Sequence, residues 1–67
     1  MPSEEFVGVL RRVDWRAGLV VIQSQDLHVH TIPFDLSPRT PDYRGLVGQD
    51  VKCIVEDGTV KSLVSVR

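Results

Sequence analysis

Residues 51–66 read VKCIVEDGTVKSLVSV, in which two runs of strand-forming residues flank Asp57-Gly58. Asp-Gly between two such runs is the strongest short-range signal for a β-hairpin, and its two-residue loop sets which residues oppose one another. The predicted pairs are Val55 with Val60, Cys53 with Ser62, and Val51 with Val64. Opposed residues share one face of a sheet. The core face is therefore predicted to hold Val51, Cys53, Val55, Val60, Val64 and Val66.

The rest of the chain continues this β pattern, with strand-forming runs broken by turn signals at short spacing. Three further strands are predicted, at 6–13, 19–23 and 27–31. Pro33 is expected to end the third of them because proline cannot donate a ladder hydrogen bond. The segment 35–50 is rich in prolines and turn formers, with room for a short helical turn near Leu36 or at 43–46. We therefore predict an all-β, small five-stranded barrel, OB-like or SH3/Sm-like, built from a three-strand meander, a long loop and a C-terminal hairpin.

The composition is that of one folded domain over residues 1–67, with 42% hydrophobic and 25% charged residues. A single cysteine excludes an internal disulfide. The longest apolar run, 19–22, is far too short to span a membrane, and the N-terminus lacks the features of a secretory signal, so we expect a cytoplasmic protein. A net charge of −1 argues against strong non-specific binding to nucleic acid, which normally requires a basic excess.

The order of meander, connection and hairpin resembles that of the OB-fold and of other small barrels such as SH3-like and Sm-like domains. Residues 43–51, YRGLVGQDV, followed by a hairpin that ends in Val66-Arg67, look like the C-terminal half of bacterial translation initiation factor one. In that family a Tyr-x-Arg segment precedes a Gly-Asp turn and a strand. This sequence departs from the family in lacking its basic glycine-lysine loop. The resemblance covers about a third of the chain and implies a barrel that binds RNA.

Two groups of arginines surround an aromatic residue on a predicted loop. The first group consists of Trp15 with Arg11, Arg12 and Arg16, and the second of Tyr43 with Arg39 and Arg44. Proteins that bind single strands stack bases on aromatic rings and hold phosphates with cations. These seven residues are therefore predicted to bind single-stranded RNA or DNA. The alternative is that Trp15 caps one end of the barrel and that the arginines form a solvated rim.

A second hypothesis is a protein-interaction or subunit-type module, which could also associate with itself. The predicted reverse face of the hairpin exposes Ile54 and Leu63 to a partner. Further apolar residues lie on predicted loops, namely Leu36, Leu46 and Val47. The nearly neutral charge favours this hypothesis, because affinity for phosphates needs a surplus of cations.

No catalytic or metal-binding constellation is evident in the sequence. His28 and His30 are predicted to share a strand face, but two ligands do not complete a structural zinc site. Cys53 lies among valines, without the neighbouring base that a nucleophile needs. The five glycines contain no phosphate-binding fingerprint. We therefore expect a binding protein rather than an enzyme, with neither a cofactor nor a metal.

Overall fold

The computed structural model describes residues 3–66, and these form one antiparallel sheet of five strands. The elements are β1 Ser3–Asp14, β2 Leu19–Ser24, β3 Val29–Pro33, a 3-10 helix at Tyr43–Leu46, β4 Asp50–Glu56 and β5 Thr59–Ser65. The predicted all-β class and the order of meander, connection and hairpin are confirmed. The strand order is β3-β2-β1-β4-β5. Because β4 returns through a long connection to lie beside β1, the first four strands form a Greek key.

The central strand β1 pairs with β4 through Ser3–Val9 and with β2 through Gly8–Asp14. Its register against β2 shifts between Leu10 and Arg12, which leaves Arg11 as an extra residue in a β-bulge. A bulge bends its strand and increases the local twist. The sheet therefore curves around one buried face. Within residues 3–66 no ladder joins β3 to β5, so these two strands remain edges and closure into a barrel stays a prediction.

The concave face of the curved sheet holds the hydrophobic core. The buried residues are Leu10, Val20, Ile22, Ile32, Phe34, Tyr43, Val51, Cys53, Val55, Val60 and Leu63. Phe6, Val13, Trp15 and Leu46 are partly buried against them. No polar or charged residue among those described is buried. The core is consequently held together by apolar packing, which is the main favourable term in folding.

The C-terminal hairpin forms at Asp57-Gly58, where both residues have positive φ, as a two-residue hairpin turn requires. Val55 pairs with Val60 as predicted, but Cys53 pairs with Leu63 and Val51 with Ser65. The predicted pairs Cys53–Ser62 and Val51–Val64 are wrong because a bulge in β5 inserts one extra residue, Lys61.

This bulge reverses the two faces of the distal part of β5, because a shift by one residue moves each side chain to the other side. Leu63 is only 5% exposed, while Val64 is 50% exposed. Val66 also lies on the solvent side. Leu63 was therefore wrongly predicted to lie on the outer face, and Val64 and Val66 were wrongly predicted to lie in the core.

The third strand begins at Val29 rather than at Leu27 and ends at Pro33 as predicted. Leu27 adopts a left-handed backbone conformation with φ of 66°, which no strand residue adopts. Ser24 closes this turn: its hydroxyl donates to the Asp26 carboxylate, and its N–H donates to the His28 carbonyl at 2.9 Å. The Ser24 hydrogen bond is the main cause that lowers the pKa of Asp26.

The long connection returns to the core immediately after β3. The Phe34 N–H donates to the Gly18 carbonyl at 2.8 Å and places the Phe34 ring inside. Of the two sites predicted for a helical turn, 43–46 is the one that forms a helix, with Asp42 as its N-cap. Among the described residues no helix has the length and apolar character to cross a membrane.

Candidate functional site

Three aromatic rings pack together at the end of the sheet where β1 turns into β2. Phe34 lies in the middle, with its ring centroid 5.4 Å from that of Trp15 and 5.3 Å from that of Tyr43. Such tilted and edge-to-face arrangements are the preferred geometries of aromatic pairs. Phe34 is not among the site residues predicted from the sequence. Its position next to the strand-ending Pro33 was the signal that could have identified it, since an aromatic residue there is carried back towards the core.

Trp15 is positioned by the tight turn that joins β1 to β2. The Asp14 side chain accepts a hydrogen bond from the Ala17 N–H at 2.9 Å, and the Asp14 carbonyl accepts one from the Gly18 N–H at 2.9 Å. Gly18 has φ of 72°, a conformation in which glycine incurs no steric cost. The turn thus presents Trp15 half-buried, with one part of the ring against Phe34 and the remainder near solvent.

Tyr43 is only 5% exposed and forms part of the core. Burial raises the pKa of its hydroxyl, and the nearby Cys53 adds to that effect. A base could stack on this ring only if the core opened. Tyr43 is therefore removed from the predicted contact surface, where it had been placed because the sequence around it resembles a loop.

Arg44 is the one residue of the second predicted group that contacts the first. The carbon at the centre of its guanidinium lies 5.2 Å from the centroid of the Trp15 ring, which is within cation–π range. The Asp42 carboxylate orients this guanidinium by accepting from Nε at 2.9 Å and from Nη2 at 2.9 Å. The same pairing, together with the Arg44 backbone N–H, lowers the pKa of Asp42. The composite of an indole ring and an adjacent guanidinium plane comes from residues almost thirty positions apart in sequence.

The remaining arginines of the first group lie on the last part of β1 and on the turn that carries Trp15. Arg11 is the exposed bulge residue of β1, Arg12 pairs with Asp14 at 3.3 Å, and Arg16 is exposed on the turn. The segment after the 3-10 helix reaches the same place, because the Gly48 N–H donates to the Leu10 carbonyl at 2.7 Å. We call this surface the arginine end; it consists of Arg11, Arg12, Trp15, Arg16 and Arg44.

Arg39 does not join the arginine end through any contact among the described residues. It lies in an exposed turn in which its N–H donates to the Ser37 hydroxyl at 3.3 Å. Among residues 3–66, no ion pair involves Arg11, Arg16 or Arg39. Their guanidinium groups therefore keep their hydrogen-bond donors for solvent or a ligand.

Comparison with known proteins assigns neither a family nor a function to this chain. No family model, curated protein or solved structure matches the chain. The resemblances to the OB-fold and to translation initiation factor one therefore remain predictions.

The two histidines do not come together as predicted, because His28 precedes the strand and lies in the turn. His28 pairs with Asp26, with its Nδ1 3.3 Å from the carboxylate oxygen. His30 is half-buried, and its ring centroid lies 4.5 Å from that of Phe6. Within the described part of the chain no three His, Cys, Asp or Glu side chains are grouped to hold a metal ion.

The residues predicted for a protein partner also separate. Leu63 is buried, whereas Ile54 and Leu46 are half-buried, Leu46 against the core. Leu36 and Val47 are exposed as predicted. Other exposed apolar side chains lie elsewhere on the surface, namely Val7, Leu27, Val29, Val64 and Val66. Burial therefore removes Leu63 from the predicted docking surface.

Cys53 is fully buried, and this burial raises its pKa from 9.0 to about 11. The folded protein retains the thiol proton at a pH where the unfolded chain has lost it. We therefore expect stability to be unaffected below the unfolded pKa and to fall as pH rises from about 9 to about 11, by up to roughly 2–3 kcal/mol from this group. Urea unfolding across that range is the measurement, with Cys53→Ala as the control. An equal decline in the variant would assign the effect to other groups.

Proposed function

We propose that this chain is a non-catalytic binding module that holds single-stranded nucleic acid, with RNA as the preferred ligand, at the arginine end. The observation that carries the proposal is the position of the Arg44 guanidinium, 5.2 Å from the centroid of the Trp15 ring. It brings one cation of the second predicted group, Arg44, against the aromatic ring of the first group, which carries three further arginines nearby in sequence. Such combinations are what single-strand binding requires.

The chemistry of each contact follows from the side chains. A base can stack on the exposed part of Trp15 or on the outer face of the Arg44 guanidinium that lies over this ring, and stacking contributes about 1–3 kcal/mol per base. Arg11 and Arg16 can each bind a phosphate through two parallel N–H donors. Arg12 and Arg44 already pair with Asp14 and Asp42, but exposed ion pairs contribute only about 0–1 kcal/mol. A phosphate can therefore compete with these carboxylates for the arginines.

The strand order supports the same proposal. An OB-fold is a partly open Greek-key barrel that uses the loop between its first two strands in binding oligonucleotides. This chain has the Greek-key order, and its β1–β2 turn carries Trp15 and Arg16. We propose that the curved sheet is a small barrel of this kind, open between β3 and β5.

Two of the acidic residues of β1 lie at the opposite end of the strand from its basic residues, so the basic end can bind an anion although the net charge of the chain is slightly negative. Arg11 and Arg12 lie towards one end of this strand, and Glu4 and Glu5 lie at the other. A ligand at the arginine end thus meets four arginines against the two carboxylates of Asp14 and Asp42, although the chain carries −1 overall. We expect modest affinity and a moderate dependence on salt, since four arginine–phosphate contacts give a slope of log K against log salt of about −3.

Titration of Trp15 fluorescence with a short polyuridine oligomer tests the proposal. Saturable quenching that weakens with salt is expected. Arg16→Gln should lower the affinity and reduce the magnitude of the salt slope by about 0.7, because one phosphate contact is lost. Lys61→Gln removes the same charge from β5, away from the arginine end, and should bind as the original chain does. Trp15→Ala should weaken binding of a labelled oligomer by about 1–3 kcal/mol, with circular dichroism used to verify its folding.

A flat titration at low salt, where charge contacts are strongest, would exclude this function. One observation favours a protein-interaction or self-association module in that event. Val7, Lys52 and Val64 form one row across the outer face of β1, β4 and β5, and both valines are exposed. Light scattering would then be used to measure the molar mass of the original chain and of Val64→Ser. A dimer for the original chain and a monomer for the variant would assign the outer face as the interface.

A further inference from the structure

A cleft of about 430 Å³ runs along the free edge of β3, facing the turn between β4 and β5. All five residues of Val29–Pro33 line it. Phe6 and Val55 line its inner part, while Glu4 and the turn residues Asp57 and Gly58 contribute to its other side. None of the residues at the arginine end belongs to this lining. The cleft is therefore a separate feature of the molecule.

The edge of β3 presents unpaired backbone groups to the cleft. Hydrogen bonds from Phe34 N–H to the Gly18 carbonyl and from Ser24 N–H to the His28 carbonyl flank the β2–β3 ladder. In an antiparallel ladder, residue pairs that exchange hydrogen bonds alternate with pairs that do not. Counting inwards from the two flanking hydrogen bonds, Ile32 and His30 are the β3 residues whose backbone groups bond β2. The N–H and C=O groups of Val29 and Thr31 then point away from β2. A free edge of this kind is a template for an added strand.

The formal charges in the lining are of one sign. Glu4 and Asp57 are acidic, and no lysine or arginine lines the cleft. On the outer face Glu5 pairs with Lys52 and Glu56 with Lys61, but among the described residues neither Glu4 nor Asp57 forms an ion pair. Glu4 pairs in register with Val55, two residues before Asp57, which places both carboxylates at one end of the cleft. This charge complements a cation and repels a phosphate.

The distance between β3 and β5 limits the length of a peptide that can pair with the β3 edge. Cα atoms of β3 and β5 approach within 8 Å at some points, which is less than the roughly 9.6 Å that a strand inserted between two others would need. A complete strand therefore does not fit between them along their whole length. A short extended segment along β3, with one long side chain directed towards Phe6, is compatible with this geometry.

We infer that the cleft binds an extended peptide segment of a partner protein, which pairs its backbone with Val29 and Thr31 and places a lysine or arginine side chain beside Glu4 and Asp57. The side-chain stem packs against the adjoining rings of Phe6 and His30, and the cation remains at the carboxylates. Addition of a strand to an open sheet edge is a recurring mode of peptide recognition, in which backbone hydrogen bonds supply affinity and side-chain sites supply specificity.

The test uses ¹⁵N-labelled protein and the acetylated, amidated peptide Val-Lys-Val-Lys-Val, compared with Val-Glu-Val-Glu-Val. Saturable amide shifts at Val29, Thr31 and Gly58 are expected with the basic peptide and not with the acidic one. The double variant Glu4→Gln and Asp57→Asn should weaken binding by roughly tenfold, because two exposed charge contacts are lost. Both substitutions preserve side-chain shape, and asparagine tolerates the left-handed conformation of residue 57.

The matched control is the double variant Glu5→Gln and Glu56→Gln, which removes the same charge from the outer face and should leave the peptide affinity unchanged. Equal shifts with both peptides would overturn the inference, as would equal weakening in both double variants. Shifts confined to the outer face, or the absence of saturation with the basic peptide, would overturn it as well. Shifts at the β3 amides caused by polyuridine rather than by the basic peptide would assign the cleft to nucleic acid instead.

Discussion

Gly8→Ala is expected to remove a large part of the stability of this domain, at a cost of about 3 kcal/mol, the upper end of the usual range for overpacking. Gly8, like the adjacent Val9, pairs with both β2 and β4. A Cβ added there would lie 2.3 Å from the Gln23 carbonyl oxygen and 2.9 Å from the Cα of Ser24. These are backbone atoms of the adjacent strand, so no side-chain rotation can relieve the collision. Either β2 moves away from β1 or the pairing at this point is lost.

Gly45→Ala is the matched control, because a Cβ at Gly45 meets no atom within 4 Å. Removing a glycine at an unstrained position reduces the entropy of the unfolded chain, so this variant should be neutral or more stable by about 0.4–1 kcal/mol. Urea unfolding followed by circular dichroism measures both. A domain of this size has roughly 3–10 kcal/mol of stability, so the loss in Gly8→Ala should move the urea midpoint far below that of the original chain. A native-like transition in Gly8→Ala would show that the close approach of the two strands is not required.

Leu10→Ala should destabilise the protein by about 2–5 kcal/mol, as expected for a large-to-small change in a packed core. Leu10 has no exposed surface and is among the largest fully buried side chains. It faces Ile22 across the β1–β2 ladder. Its backbone is hydrogen-bonded to Gly48 and Gln49, in the segment that follows the 3-10 helix. The site has limited freedom to collapse after truncation, since the adjacent bulge and the Gly48–Leu10 hydrogen bond hold the backbone in place.

Leu27→Ala makes the same chemical change at a residue that is 74% exposed, and it should alter the free energy of unfolding by no more than about 0.5 kcal/mol. Both midpoints and m-values should be measured, because an unchanged m-value attributes the loss to the folded state. Similar effects at the two leucines would contradict the position of the core described above.

The arginine end could be predicted from the sequence only in part. The sequence correctly placed Trp15 and Arg16 in the turn after β1, because Gly18 and Asp14 are local turn signals. It could not indicate that Arg44 lies over Trp15, since this contact depends on the path of the long connection. Tyr43 was assigned to the surface because the prolines around it mark a loop, yet its ring completes the core between Phe34 and the sheet.

The hairpin shows why a local pattern can be right about a turn and wrong about a face. Asp57-Gly58 specifies the turn through its own backbone preferences, and Val55 and Val60 pair next to it. Leu63 and Val64 are both apolar, so either could have entered the core. Because of the bulge at Lys61, Leu63 and not Val64 faces the core. Which of the two does so depends on how the whole sheet packs around the core.

By itself the sequence determined the strand class, the position of the turns and the order of meander, connection and hairpin, because each depends on the preferences of a few neighbouring residues. Only the tertiary structure decided the strand order, the two bulges, the burial of Tyr43 and the open edge of β3. Those features depend on which distant segments share one core, and the energy of packing them exceeds the small local preferences that a sequence displays.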